Sequence, residues 1–298
     1  MTRKKQRDDY QQQHDYQRNH GAQDIIICQN IFCFFHVGDY NCFMTKNQAF
    51  EIWARIGDAH VARILVENTK NFSWYNVWKI SRALRRGVPV AKIIGFKWFY
   101  GLKFHTNTHT LDPRPDTETL VEAVISDHAM RAPYILDLGT GTGCIICALC
   151  KNIPNSRGVA IDISRRALKV AQKNVQDLGL GRYINVKRGD FSRRISVSEK
   201  FDVIVSNPPY IARGDERVDR GARHDPGRAL YATHNGFGAY KSIAKNARDW
   251  VRDSGRIYVE IGDGMDVDVR EIFAKNGWKF VRDARDLSGI IRVLVFEK

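Results

Sequence analysis

The sequence predicts an α/β protein: a doubly wound, largely parallel sheet with an antiparallel edge strand, preceded by a small helical domain and a β-hairpin linker. Three observations predict it. From residue 113 onward short apolar runs alternate with amphipathic ones, the pattern of a parallel sheet covered by helices. A glycine-rich segment, LDLGTGTG at 136–143, stands between a predicted strand and a predicted helix. The last two strand-like runs succeed one another with no helix between them, which implies an antiparallel strand at the sheet edge.

The chain has 298 residues, 43% of them hydrophobic and 27% charged, so it is long enough for two domains and apolar enough to bury a core. Residues 1–43 form a Gln-rich polar head and an apolar run (Ile25 to Val37), an N-terminal extension unlike the rest of the chain. Met44 is a candidate start of translation. The apolar run is too short to span a bilayer and starts too deep for a signal peptide, so no membrane segment and a cytoplasmic setting are expected.

Residues 44–89 are expected to be helical. Phe50, Trp53, Ala54, Ile56, Ala59, Val61, Ile64 and Leu65 recur at three- and four-residue spacing, Trp74 to Leu84 repeat the pattern, and Gly87 and Pro89 stop it. Residues 90–112 are rich in aromatic and β-branched side chains punctuated by Gly95 and Gly101, which suits a hairpin between two domains. The second domain, 113–298, opens with a helix from Thr117 to Ile125. Strands are then expected at 134–138, 157–162, 183–190, 201–207 and 255–262. Helices are expected from the glycine turn to Cys150, from Ser164 to Leu178, from Ala239 to Val251 and from Asp266 to Lys275, before the two closing strands.

Charge is unevenly spread. The net charge is +14, and residues 45–110 carry eleven Lys/Arg against three Asp/Glu. Such a region suits contact with an anionic partner, nucleic acid included. Cys144, Cys147 and Cys150 lie at i, i+3, i+6 in CIICALC, which reads as a buried helix rather than a cluster site. His105, His109 and His224 lack ligand spacing, so no metal is expected.

Two motifs carry chemistry. In the first, Gly139, Thr140, Gly141, Thr142 and Gly143 form a turn between strand and helix whose backbone N–H groups can approach a ligand. Asp162, at the end of the next strand, suits a ribose diol. A dinucleotide fingerprint would need glycine where Cys144 stands; D-x-G-x-G-x-G instead resembles the S-adenosylmethionine site of Rossmann-like methyltransferases. Asp190 and the ring of Phe191, after the third strand, would complete a pocket for the adenine.

The second motif is Asn207-Pro208-Pro209-Tyr210, at the end of the fourth strand. The Asn207 side-chain oxygen and the Pro208 carbonyl can each accept one hydrogen of a planar NH₂ group. The two prolines hold the backbone extended, and Tyr210 offers a flat face for packing. Gripping both hydrogens aims the nitrogen lone pair at a methyl donor, which is catalysis by positioning. No strong base is needed, because the nitrogen attacks neutral and loses its proton afterwards.

Residues 82–104 and 111–124, with NPPY and the closing GI-IRVLVFEK, resemble the protein-(glutamine-N5) methyltransferases that modify the Gly-Gly-Gln loop of class I peptide-chain release factors. The resemblance implies a helical N-terminal domain, a Rossmann-like methyltransferase domain and S-adenosylmethionine as cofactor. It implies that Gly139 to Gly143, Asp162, Phe191 and Asn207 contact the cofactor and that Asn207, Pro208, Pro209 and Tyr210 hold the glutamine, with Asn207, Pro208 and Tyr210 catalytic. Phe191 stands where the family often has Trp. Asp112 replaces a usually apolar residue, His224-Asp225-Pro226 stands where a Glu-Pro pair is typical, and Met265 where Gln is frequent. NPPY motifs also serve methyltransferases of adenine N6 and guanine N2, an alternative that the basic region suits; no segment is long enough for a separate DNA-recognition domain. A third alternative is a non-catalytic cofactor- or RNA-binding scaffold, against which the intact motifs argue.

Overall fold

A computed structural model describes residues 43–193, 195, 199–212 and 222–298. The extension expected at 1–43 lies outside the described residues, apart from Phe43. The chain divides into two compact units that part between Arg86 and Gly87.

The first unit contains α1 (Lys46–Ile56), α2 (Ala59–Asn68) and α3 (Trp74–Arg85). The helical pattern starting at Lys46 is broken at Gly57-Asp58, because the Asp58 carboxylate accepts the Val61 backbone N–H at 2.7 Å and starts a new helix. Thr45 and Gln48 form a reciprocal capping box on α1, and Ser73 caps α3. Trp53 and Leu65 are fully buried, as are Ala49 and Ala62.

The second unit begins with a short helix, α4 (Val90–Ile94), where hairpin was expected. Pro89 precedes its first turn and Gly95, with φ of 83°, ends it. The hairpin proper is β1 (Phe96–Phe99) and β2 (Leu102–His105). Tyr100 and Gly101 both adopt positive φ (48° and 70°), the handedness that a two-residue hairpin turn requires. Phe99 and Phe104 meet edge-on at 6.0 Å and are buried in the core below, so the hairpin is part of this unit's packing.

A 3₁₀ turn (Pro115–Thr117) leads into α5 (Glu118–His128), which runs three residues past the expected end. Next come β3 (Tyr134–Leu138), α6 (Cys144–Asn152), β4 (Arg157–Asp162), α7 (Arg165–Asp177), β5 (Ile184–Arg188) and β6 (Phe201–Ser206). A two-residue strand β7 (Ile211–Ala212), a single turn α8 (Gly227–Leu230) and β8 (Tyr231–Ala232) form a small feature that sequence patterning did not indicate. The chain closes with α9 (Gly238–Asn246), β9 (Val251–Glu260), α10 (Asp266–Lys275), β10 (Lys279–Arg285) and β11 (Ile291–Glu297). The helix expected to reach Val251 stops at Asn246. Val251 already belongs to β9, and the Trp250 carbonyl accepts the Phe201 N–H at 2.8 Å.

The seven-stranded sheet has the order β10-β11-β9-β6-β3-β4-β5. All neighbours from β9 to β5 are parallel; β11 is antiparallel to both β9 and β10. The antiparallel strand therefore lies one place in from the edge, and β10 forms the edge itself. Alternation along the strands divides the core in two. Ile135, Val203, Val205 and Val295 point to a layer with α5, α6 and the hairpin, whereas Leu136, Ile204, Val259 and Leu294 point to a layer with α9, α10 and Trp250. Strand order reverses between β3 and β6. Ligands of open α/β sheets bind beyond the carboxyl ends of the strands at such a switch point.

Candidate active site

A cleft of about 780 Å³ opens beyond the ends of β3, β4 and β6. Its walls include Gly139, Gly141, Asp162, Asp190, Phe191, Asn207 and Pro209, so residues from both sequence motifs share one cavity. His109 to Leu111 and Pro226 to Ala229 also line it, together with Arg165, Arg166, Arg188 and Arg228. These lip residues lie outside the glycine turn and the NPPY segment and come to the cleft through the fold.

The glycine turn is built by backbone geometry. Gly139, Gly141 and Gly143 have φ of 73°, 56° and 79°, a region in which a side chain is strained. A Cβ on Gly139 would approach the Phe191 ring to 3.6 Å, so glycine keeps the space between turn and ring open. Gly143 serves packing: a Cβ there would meet Ala171 at 3.4 Å, where α7 crosses the turn. Thr140 and Thr142 are buried beneath the turn and do not line the cleft. Thr140 Oγ1 donates to Asp137 Oδ2 at 2.6 Å, and the Thr142 carbonyl accepts from Asn174 Nδ2 at 2.8 Å.

Asp137 is wholly buried, and its Oδ1 has no hydrogen-bond partner among the described residues. Burial pushes its carboxyl up to about 7, against the pull of the Thr140 hydroxyl. Asp162 holds the turn from the neighbouring strand. Its Oδ2 accepts the Gly141 N–H at 3.0 Å and its Oδ1 the Ser164 N–H at 2.8 Å. Burial raises this carboxyl too, and the backbone donors of Ser164, Gly141 and Ile163 counter the rise.

At the end of β6, Asn207 lies on the cleft wall with its Nδ2 donating to Thr117 Oγ1 at 3.1 Å. Pro208 is buried and Pro209 half-buried on the wall. Tyr210 is half-buried and does not line this cleft: its ring packs on Gly262, where an added Cβ would come within 3.0 Å of it. Burial pushes the Tyr210 hydroxyl up to about 12, with the nearby negative charge of Glu260 adding to the effect.

Two residues beside Asn207 stand outside both motifs. Thr117 is buried, and Glu260, the last residue of β9, is 2% exposed with Oε2 unpartnered among the described residues. Burial pushes Glu260 up to about 7, while hydrogen bonding to Thr117 and Asn207 favours its charged form. A carboxylate at the end of the apolar strand GRIYVEIG is the sequence feature that could flag it. Cys144 and Cys147 are buried free thiols, Cys150 is partly buried, and burial pushes Cys144 up to about 12 and Cys150 to about 11. Among the described residues, no group of three His, Cys, Asp or Glu could hold a metal ion, and no helix is long and apolar enough to cross a membrane.

The cleft fits S-adenosylmethionine. Open backbone at Gly139 and Gly141, a carboxylate at Asp162 and an aromatic ring at Phe191 face this cleft, the kinds of group that such a ligand needs.

Residues 111–223 match the methyltransferase small domain family. The chain is 39% identical over 237 residues to the release factor glutamine methyltransferase of Streptococcus pneumoniae, covering 78% of this chain and 82% of that one. It is 40% identical over 220 residues to the protein of the same name from Agrobacterium fabrum, covering 71% and 75%. A methyltransferase structure from Pyrococcus furiosus superposes with a TM-score of 0.51 at 17% identity, over 67% of this chain and 90% of that one, a likeness of fold. With identity near 40% sustained over most of both chains, this chain belongs to the release factor glutamine methyltransferase family.

Proposed function

We propose that this protein methylates the side-chain amide nitrogen of the glutamine in the Gly-Gly-Gln motif of class I peptide-chain release factors. The observation that carries the reading is the placement of Asn207. It sits on the wall of the cofactor-sized cleft with its amide nitrogen turned back into the protein, which leaves its oxygen to accept from an incoming NH₂ group.

S-adenosylmethionine, when bound by the glycine turn, Asp162 and Phe191, supplies a methyl group on a positively charged sulfur. Asn207 Oδ1 and the Pro208 carbonyl take the two amide hydrogens of the substrate, and the nitrogen lone pair is thereby aimed. Pro209 keeps the backbone extended behind them. Burial raises the Tyr210 hydroxyl, which suits packing more than service as a base. The grip of Asn207 and Pro208 would leave the amide nitrogen neutral for attack, so that no side chain need act as a strong base before transfer. The basic segment 45–110 suits an anionic partner surface, RNA included, and this substrate implies a cytoplasmic setting.

The test offers labelled S-adenosylmethionine with release factor, ribosomal RNA and DNA as separate acceptors. Label on the release factor, lost when the glutamine of Gly-Gly-Gln is replaced, is the expected result. Label on nucleic acid alone would replace this substrate with a base amino group.

A further inference from the structure

We infer that Thr117 is a positioning residue for the transfer: its buried hydroxyl fixes which end of the Asn207 amide faces the acceptor. The inference rests on the proposed role of Asn207 and concerns a residue outside the NPPY motif.

An asparagine amide has two faces of nearly equal shape, one acceptor and one donor. A substrate NH₂ group needs the acceptor. Nothing in the Asn-Pro-Pro-Tyr segment itself distinguishes the two rotations, so the choice must come from what lies behind the side chain. Thr117 lies there, 2% exposed, at the 3₁₀ turn leading into α5. Its Oγ1 receives Asn207 Nδ2 at 3.1 Å.

Glu260 reinforces the choice. Its buried carboxyl is close enough to both side chains for hydrogen bonding to Thr117 and Asn207 to favour the carboxylate. With its own hydrogen given to Glu260, the Thr117 hydroxyl is left as an acceptor, which Asn207 Nδ2 can satisfy and a flipped Oδ1 cannot. The Thr117 hydroxyl can accept from Asn207 while donating its own hydrogen, which a methyl group in its place cannot do. The turn that holds Thr117 is itself anchored: Arg292 Nη2 pairs with Asp116 at 3.0 Å and Arg292 Nε with Asp286 at 2.7 Å.

The experiment compares Thr117→Val, which removes the hydroxyl at nearly constant shape, with Thr117→Ser, which keeps it. Turnover is measured on the acceptor that the wild type labels, and cofactor affinity by calorimetry on the same full-length proteins. Thr117→Val is expected to lower kcat/KM for the acceptor about tenfold or more, with cofactor Kd within about twofold of wild type, and Thr117→Ser to recover most of the loss. Thr117→Ala repeats the comparison should the valine variant not fold. Full activity without the hydroxyl, or equal losses in the serine and valine variants, would overturn the inference. A wild type that labels nucleic acid instead of release factor would overturn the substrate reading alone, and the Thr117 comparison would then be read on that acceptor.

Discussion

Lys92 Nζ lies 2.9 Å from Asp225 Oδ1, and both side chains are 1% exposed. The same ammonium is 2.8 Å from Asp112 Oδ1 and donates to Thr106 Oγ1 and to the carbonyls of Asn107 and Thr110. With those donors engaged, the Asp225 contact is electrostatic: among the described residues Asp225 Oδ1 has no aligned hydrogen bond, while its Oδ2 accepts from Arg114 at 2.9 Å. Asp112 and Asp225 are two of the positions at which the chain departs from its family's pattern, and they meet on one lysine. The cluster ties α4 to the segment at 106–112 and to the lip that begins at Pro226.

Removing the lysine should therefore expose the cost of the two buried carboxylates. Lys92→Met is expected to lower stability by about 3–5 kcal/mol, read from urea midpoints. Adding Asp112→Leu and Asp225→Leu should recover part of that loss. A single variant as stable as the wild type would show that the cluster contributes nothing.

Asp162 braces the glycine turn through the Gly141 N–H and lines the cleft. Asp162→Ala should weaken S-adenosylmethionine binding about tenfold or more, because a charge-assisted acceptor is lost from both the turn and the ligand. Calorimetry decides it; unchanged affinity would place the ribose elsewhere.

Gly236 has φ of 96°, and a Cβ there would sit 2.4 Å from the Tyr210 carbonyl oxygen. Gly236→Ala is expected to cost about 1–3 kcal/mol and to depress turnover by shifting the NPPY segment. Gly95→Ala shares the positive φ but has nothing within 4 Å, so thermal melting of both variants separates strain from collision.

Asp137 and Glu260 are both pushed up to about 7 by burial, from ordinary values of 3.8 and 4.5. In each case the folded chain holds the proton more tightly than the unfolded chain. Their contribution to stability is full below about pH 4 and is lost as pH rises through 7. At 1.36 kcal/mol per pKa unit it amounts to on the order of 4 kcal/mol for Asp137 and about 3 kcal/mol for Glu260. The urea-determined stability of Asp137→Asn should fall less steeply between pH 4 and 8 than that of the wild type. Parallel curves would show that Asp137 does not titrate in this window.

Much of this arrangement was legible in the residues. Continuous short apolar runs gave β3 and β4 their bounds, because strands buried on both faces carry few polar positions. Gly139 and Gly141 of the glycine turn, Asp162, Phe191, Asn207 and Pro209 were each found from local chemistry and do line one cleft. Local sequence could not tell that Thr140, Thr142 and Gly143 face inward, since a turn's side-chain directions depend on the helix that crosses it. The hairpin's leading residues form α4 because Pro89 and Gly95 supply both helix ends within seven residues, a signal weaker than the β-branched composition around it. Tyr210, Thr117 and Glu260 depend on contacts between segments far apart in the chain, which no spacing rule encodes. The place of β11 inside the edge likewise comes from its pairing with β9.

The central claim is that Asn207 holds the acceptor and not the cofactor alone. It is tested most directly by measuring methyl transfer to release factor and S-adenosylmethionine affinity for Asn207→Ala. Transfer is expected to fall at least about a hundredfold while the cofactor still binds with measurable affinity through Asp162 and the glycine turn. Transfer near the wild-type rate would contradict the claim.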